Sequence, residues 1–175
     1  IDEEKGVADE KEALQGAKDI LAEMISDDPD YRIYIRDLIK KDGTVSSVAK
    51  DPEAKSVFEM YYDYAEPVKK IAGHRVLALN RGENEKILTV SVNAPEEQIL
   101  DYLSGKIIKK DNPYTTPVLR EVIEDAYDRL IFPSVEREIR NELTERAEEG
   151  AIDVFGKNLR QLLMQPPIAG KTVLG

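Results

Sequence analysis

Pro117-Val118-Leu119-Arg120-Glu121-Val122-Ile123-Glu124-Asp125-Ala126-Tyr127-Asp128-Arg129-Leu130 is the stretch that decides the fold class of this chain. Its apolar residues, Val118, Leu119, Val122, Ile123, Ala126, Tyr127 and Leu130, return every three or four positions, the period of one helix face and not of a strand. Pro at its start suits a first helical turn, where the missing N–H has no partner to lose. Just beyond, Pro133-Ser134 punctuates the chain. Val135, Ile139, Leu143 and Ala147 then form a narrow line four residues apart, flanked by the pairs Glu136–Arg140 and Glu142–Arg146. So narrow a line belongs to a helix that is mostly exposed or bridges two bodies, and Gly150 is expected to end it. Ile152, Val154, Phe155, Leu159, Leu162 and Leu163 make a last helix before Pro166-Pro167.

Towards the N-terminus the same period recurs. Asp9 with Glu12 makes a capping-box start, and Leu14, Ala17, Leu21, Met24 and Ile25 give the first helix, about 9–26, its apolar face. Asp27-Asp28-Pro29-Asp30 breaks it and opens a second helix, which carries Tyr31, Tyr34, Ile35, Leu38 and Ile39 inward. That helix ends on Lys40-Lys41 before Gly43, a basic last turn and a C-cap glycine. A third is expected from Asp51-Pro52 through Val57, Phe58, Met60, Tyr61 and Tyr64 to Pro67, its aromatic stripe read as core. A fourth opens at Asn93-Ala94-Pro95-Glu96 and closes at Ser104-Gly105. Only 44–48 and 86–92 have strand character, and they can pair as a small ribbon. The expected fold is therefore mainly α, a multi-helix bundle-like assembly with that ribbon. It divides into an N-terminal helical part at 1–65 and a central helical part at 66–165.

Composition narrows the chemistry. The chain has 175 residues, 41% hydrophobic and 34% charged, enough apolar content for a core and enough charge for broad solvated helix faces. It has no Cys, so disulfides, thiolate nucleophiles and Cys-based zinc sites are excluded. No run approaches the roughly 20 apolar residues that cross a bilayer, and Ile1-Asp2-Glu3-Glu4 lacks the basic and apolar regions of a signal peptide. A cytoplasmic location without membrane attachment is expected. The absence of an initial Met and the apolar stretch Thr172-Val173-Leu174 at the end read as an excised fragment.

Charge is unevenly distributed. The net charge of −10 divides into −8 over residues 1–30, 0 over 31–65, +2 over 66–120 and −4 over 121–175. The middle is the one net-basic part, with Lys69, Lys70, Arg75, Arg81 and Lys86 close together, and Lys106, Lys109 and Lys110 further on. Arg75 and Arg81 can reach phosphate, or pair instead with Glu66, Glu83 or Glu85. Catalytic motifs are incomplete. Gly170-Lys171-Thr172 has the Lys and hydroxyl of a P-loop, but the earlier glycine it requires would stand where Gln165 stands. His74 is the single histidine, so no two-His metal site can form, and its place before Val76, Leu77 and Leu79 suits a structural or capping role at a helix start. Glu96-Glu97, Glu124-Asp125 and Glu148-Glu149 are adjacent in sequence and diverge on a helix, a poor arrangement for shared metal or acid–base work. No catalytic residue, metal or cofactor is assigned.

The segment His74-Arg75-Val76-Leu77-Ala78-Leu79-Asn80-Arg81-Gly82-Glu83, followed by a β-like stretch, resembles the corresponding segment of the Tex family, bacterial transcription accessory proteins with an S1 RNA-binding domain. Ala13-Leu14-Gln15-Gly16-Ala17, Asp63-Tyr64-Ala65-Glu66-Pro67 and Asn158-Leu159-Arg160-Gln161-Leu162-Leu163 resemble that family in the same order, so the likeness spans essentially the whole chain. The resemblance implies a multidomain nucleic-acid-binding protein, with helix-turn-helix-like parts, a ribonuclease-H-like domain of the YqgF type, helix-hairpin-helix elements and a terminal S1 domain. A related eukaryotic elongation factor shares this core. This chain would be its central helical part, without enzymatic activity, and 166–175 the severed entry to the ribonuclease-H-like domain. His74, Asn80 and Gly82 would be structural motif residues. Arg75, Arg81, Lys69 and Lys70 are the candidate nucleic-acid contacts, and RNA or DNA, with RNA polymerase, the expected partners. Two other readings stand beside this one: an interaction module docking RNA polymerase or another partner through the acidic first helix or the helix at 135–149, and a divergent nuclease.

Overall fold

The computed structural model describes residues 9–166 and residue 170, so the expected entry segment, with Lys171-Thr172 of the half P-loop, lies outside the described residues apart from Pro166 and Gly170. Two helices come first, α1 (Glu10–Asp27) and α2 (Pro29–Asp42). Their ends are fixed locally. Asp9 accepts the Glu12 N–H at 2.8 Å, and Asp28 accepts those of Asp30 and Tyr31 at 2.9 and 3.2 Å. At the other end of α2, the Gly43 N–H bonds the Ile39 carbonyl at 2.7 Å. Gly43 has an ordinary φ of −75°, so contact and not a left-handed backbone demands glycine there: a Cβ would strike the Ile39 carbonyl.

The expected ribbon forms, and a third strand joins it. Strand β1 (Thr44–Ala49) lies between β2 (Asp63–Pro67) and β3 (Leu88–Asn93), antiparallel to both. The register runs from Thr44 opposite Asn93 to Ala49 opposite Leu88 on one side, and from Thr44 opposite Pro67 to Val48 opposite Asp63 on the other. β2 falsifies the helix expected over 51–67. Asp51 and Ser56 turn their side chains onto local backbone N–H groups, those of Glu53 and Phe58, which competes with helix formation. Only a short 3₁₀ turn, Glu59–Tyr61, remains. Pro67 ends an edge strand, where a missing N–H costs little. The aromatic stripe is half core: Phe58 and Tyr61 are buried, while Val57 and Met60 point to solvent. The boundary drawn at residue 65 falls inside β2, and the sheet takes strands from both sides of it.

Helix α3 (Gly73–Asn84) precedes β3, and α4 (Glu96–Ile107) follows it, running past the stop expected at Ser104-Gly105. Then α5 (Thr115–Asp125), a π-helical segment at Ala126–Ile131 and α6 (Phe132–Leu163) continue into one another. Neither the break at Pro133-Ser134 nor the stop at Gly150 occurs. In the π segment the Phe132 N–H reaches back five residues to the Tyr127 carbonyl, which places Pro133 in the opening turn of α6, where no N–H is needed. Gly150 costs the helix about 1 kcal/mol relative to Ala, too little to end it.

A continuous core joins these elements. Ile35 and Ile39 of α2, Leu79 of α3, Leu88 and Val92 of β3, Ile99 and Leu103 of α4, Val122 and Ile123 of α5, and Val135 and Ile139 of α6 are all essentially sealed. The buried face of α1 shares only Ile25 with the expected one. Ala22, Ile25 and Ser26 are the buried residues, whereas Leu14, Leu21 and Met24 are 50%, 38% and 65% exposed. The small Ala22 allows α1 to lie close to α5, and the salt bridges Lys18–Glu121 (2.7 Å) and Arg129–Asp19 (3.5 Å) fix that rotation. Tyr34 is also less enclosed than expected, though it stacks on Tyr102 at 3.6 Å. Among the described residues no helix is long and apolar enough to cross a membrane, and no three His, Asp or Glu side chains converge to hold a metal ion.

Candidate nucleic-acid interface

The candidate cations sit on the turn between β2 and α3 and along α3. Lys69 and Lys70 are exposed and make no ion pair among the described residues. Arg75, in the first turn of α3, faces β2: its Nη1 donates to Glu66 Oε2 at 2.9 Å and to the Tyr64 hydroxyl at 3.3 Å, and its guanidinium lies 5.9 Å from the Tyr64 ring centre. Tyr64 in turn donates to Glu66. The Tyr64 hydrogen bond, and after it Arg75, hold the Glu66 carboxyl below its ordinary range, while burial and the bond to Glu66 push the Tyr64 phenol up. Arg81 pairs with Glu85 at 2.9 Å along the outer face of α3 and is 75% exposed. A pair so exposed contributes at most about 1 kcal/mol, so Arg81 exchanges partners at little cost. Both arginines therefore have carboxylate partners within the chain.

The three motif residues take different positions. Asn80 donates to Thr144 at 2.8 Å and ties α3 to α6. Gly82 is buried where α3 meets β3: a Cβ there would come within 2.6 Å of Leu88 Cδ1. His74 is exposed at the second residue of α3, beside an apolar recess that Phe155 also lines.

The pairs read along α6 are made elsewhere. Arg140 bonds Glu83 of α3 through both terminal nitrogens, Glu136 accepts the Val92 N–H of β3 at 2.9 Å, and Glu142 pairs with Lys40 of α2. Arg32 of α2 donates to Ser134 at 2.7 Å and to Glu138 at 2.6 Å. Side-chain bonds thus fasten the first half of α6 to α2, α3 and the edge of β3. Sequence reasoning missed this clamp. Its signal was the alternation of charges beside an apolar line too narrow to hold a helix by itself. Between α3 and α6 lies a polar cleft of about 540 Å³, lined by Asn84, Arg137 and Asn141 among others, with the Glu83–Arg140 pair in its wall.

The family described as Tex central region-like matches residues 1–155. The chain is 52% identical over 178 residues to the uncharacterized protein YdcI of Bacillus subtilis (strain 168), with 100% of this chain and 25% of that protein covered. It is 35% identical over 185 residues to human S1 RNA-binding domain-containing protein 1, covering 98% of this chain and 19% of that protein. With the transcriptional accessory protein Tex of Neisseria gonorrhoeae the identity is 31% over 181 residues, covering 98% and 24%. The chain spans about a quarter or less of the length of these relatives.

Proposed function

The chain belongs to the Tex family, and from that premise we propose that it is the central helical scaffold of a nucleic-acid-binding transcription accessory protein, orienting the parts that grip RNA or DNA. The observation that carries this reading is the construction of α6. A helix of 32 residues is clamped over its first half by Arg32–Glu138, Lys40–Glu142 and Glu83–Arg140, and its second half projects free of the core. At 1.5 Å per residue that makes a spine of roughly 48 Å, long enough to space two domains. The names of the human and gonococcal relatives, one for RNA binding and one for transcription, supply the kind of cargo. Lys69, Lys70 and Arg81 give the scaffold an auxiliary phosphate contact at most, because the chain as a whole carries −10.

The test is a salt-titrated binding assay with single-stranded RNA and duplex DNA. The scaffold reading expects the 175-residue chain to bind at least about 100-fold more weakly than the full-length polypeptide, the difference being phosphate contacts held elsewhere. Equal affinity would overturn it. Lys69→Ala with Lys70→Ala in the full-length polypeptide is expected to weaken binding less than about ten-fold and to lower the salt slope by at most two contacts.

One observation favours a second role. Leu14, Leu21 and Met24 form an exposed apolar strip on α1, a helix that also carries Glu10, Glu23 and Asp27. An acidic, apolar helix face fits a basic partner surface, and RNA polymerase is the candidate. Pull-down of purified polymerase, weakened by Leu21→Asp with Met24→Asp, is the expected result; binding indifferent to both changes would exclude this face.

A further inference from the structure

We infer that the recess bounded by α2, α6 and the turn after β2 is a phosphate-binding site, gripped by Arg146 and Lys69, and that its ligand is one backbone phosphate of a nucleic acid. This rests on the reading above that the longer polypeptide binds RNA or DNA. Charge, geometry and size each support it.

The recess is lined by Lys40, Lys69 and Arg146, cations from three separate elements, against the single carboxylate of Glu142, so its wall carries +2 in a chain whose net charge is −10. That excess is local. The polar cleft between α3 and α6 sets Glu83 and Glu136 against Arg137 and Arg140 and is neutral, and the hollow between α4 and α5 sets Glu97, Asp101 and Glu124 against Arg120. Nor does Glu142 cancel it. One turn before Arg146 on the same helix, Glu142 is placed to pair with that arginine, but it pairs with Lys40 of α2 at 2.5 Å instead. Arg146 is left without a carboxylate partner among the described residues. Its one contact there is Nη2 to the Ile71 carbonyl at 3.5 Å, the outer limit of a hydrogen bond, so most of its five N–H donors remain available.

The two cations are held in place by their backbones. Lys69 sits in a turn whose Lys70 and Ile71 N–H groups bond the Pro67 carbonyl at 2.9 and 3.1 Å, and the buried Val68 and Ile71 anchor that turn. Arg146 precedes Ala147, on the stretch of α6 that still packs on the core. Val68, Ile139 and Leu143, all buried, supply the apolar part of the lining. Charges beside apolar groups act more strongly than charges in open water, and the planar fork of a guanidinium matches two oxygens of a phosphate.

Size indicates what carries the anion. The recess holds about 240 Å³, below the roughly 300–1,000 Å³ of a site that encloses a whole small molecule. It admits one anionic group and leaves the rest of the ligand outside. A phosphate within a nucleic-acid backbone meets that requirement.

The test is a salt titration of RNA and DNA binding by the full-length polypeptide. Arg146→Ala and Lys69→Ala are each expected to weaken binding about three- to ten-fold and to lower the salt slope by at most about one contact. Because both residues grip the same phosphate, the double variant is expected to lower the slope by about one contact as well, and its loss of affinity to fall short of the product of the single losses. Arg146→Lys keeps the charge without the fork, and is expected to restore the slope but only part of the affinity. Lys41→Ala, which removes an exposed charge of α2 outside the recess, is the control and is expected to bind like the unmodified polypeptide. Lys69 and Arg146 are exposed, so equal urea midpoints verify that the variants fold. Unchanged affinity and slope for Arg146→Ala would overturn the proposal. So would a double variant whose slope falls by two contacts, the mark of two separate surface cations. Binding of oligoglutamate that Arg146→Ala abolishes, with nucleic-acid affinity unchanged, would also overturn it and give the recess to an acidic protein segment. A full-length polypeptide that binds neither RNA nor DNA sinks the functional reading and this proposal together, whereas unchanged binding by Arg146→Ala sinks this proposal alone.

Discussion

Arg140 and Glu83 are each about a third exposed, 29% and 34%, and join residues 57 positions apart. Breaking a fully buried pair costs about 3–5 kcal/mol and an exposed one less than about 1, so Arg140→Ala is expected to destabilise the chain by about 1–2 kcal/mol in urea titration. Gly43→Ala is expected to cost about 2 kcal/mol by the same measurement, because the added Cβ meets the Ile39 carbonyl, which the end of α2 cannot move away. Glu66 makes stability depend on acidity. Its folded-state value lies below the ordinary 4.5, chiefly through Tyr64 and then Arg75. Its contribution is therefore complete above that value and disappears as pH falls through the folded-state value. Glu66→Gln is expected to flatten the loss of stability below about pH 4.5, which thermal melts across pH 3–6 would register. At this scale the sequence was legible where the physics is local: Asp9, Asp28 and Gly43 act within four residues of their partners. It was silent where partners are distant. Nothing in the α6 sequence says that Arg140 prefers Glu83 to Glu136, four positions away.

Elements whose periodicity is sustained were legible as elements, and their limits less so. The residues 51–67 carry enough apolar spacing to read as helix, yet Asp51 and Ser56 satisfy backbone groups locally and Asp63–Pro67 pairs with β1. Tertiary pairing decided between two plausible local states. On α1 the apolar stripe exists, but of its five residues only Ile25 is buried, because the sequence shows that a stripe exists but not which neighbour it meets. Gly150 was given too much weight as a stop, since a single glycine in a helix flanked by good helix formers is only a local weakness. That gives a prediction for this element. Gly150→Ala and Gly156→Ala face open space, so each is expected to stabilise the end of α6 by about 0.5–1 kcal/mol. Helical ellipticity should rise and exchange over 148–163 should slow. The urea midpoint of the whole chain should barely move, because an end outside the core opens separately from it.

At the scale of the whole molecule the proposed scaffold is a spine: a body of helices with a three-stranded sheet against α3 and α6, from which the second half of α6 projects. The candidate contacts were legible in the sequence as a basic cluster, but their partners were not. The fold occupies Arg75 and Arg81 with carboxylates and gives Lys69 and Lys70 no ion pair among the described residues. The most direct test of the spine is to make it flexible without unfolding it. Four residues, Gly-Ser-Gly-Ser, inserted after Gly150 in the full-length polypeptide fall beyond the last buried residue of α6 and leave its core intact. A spine made flexible in this way is expected to keep its urea midpoint in this region and to bind RNA or DNA about ten-fold or more weakly, as parts held in register lose their common orientation. Affinity equal to that of the unmodified polypeptide, with the insertion in place and the fold intact, would contradict it.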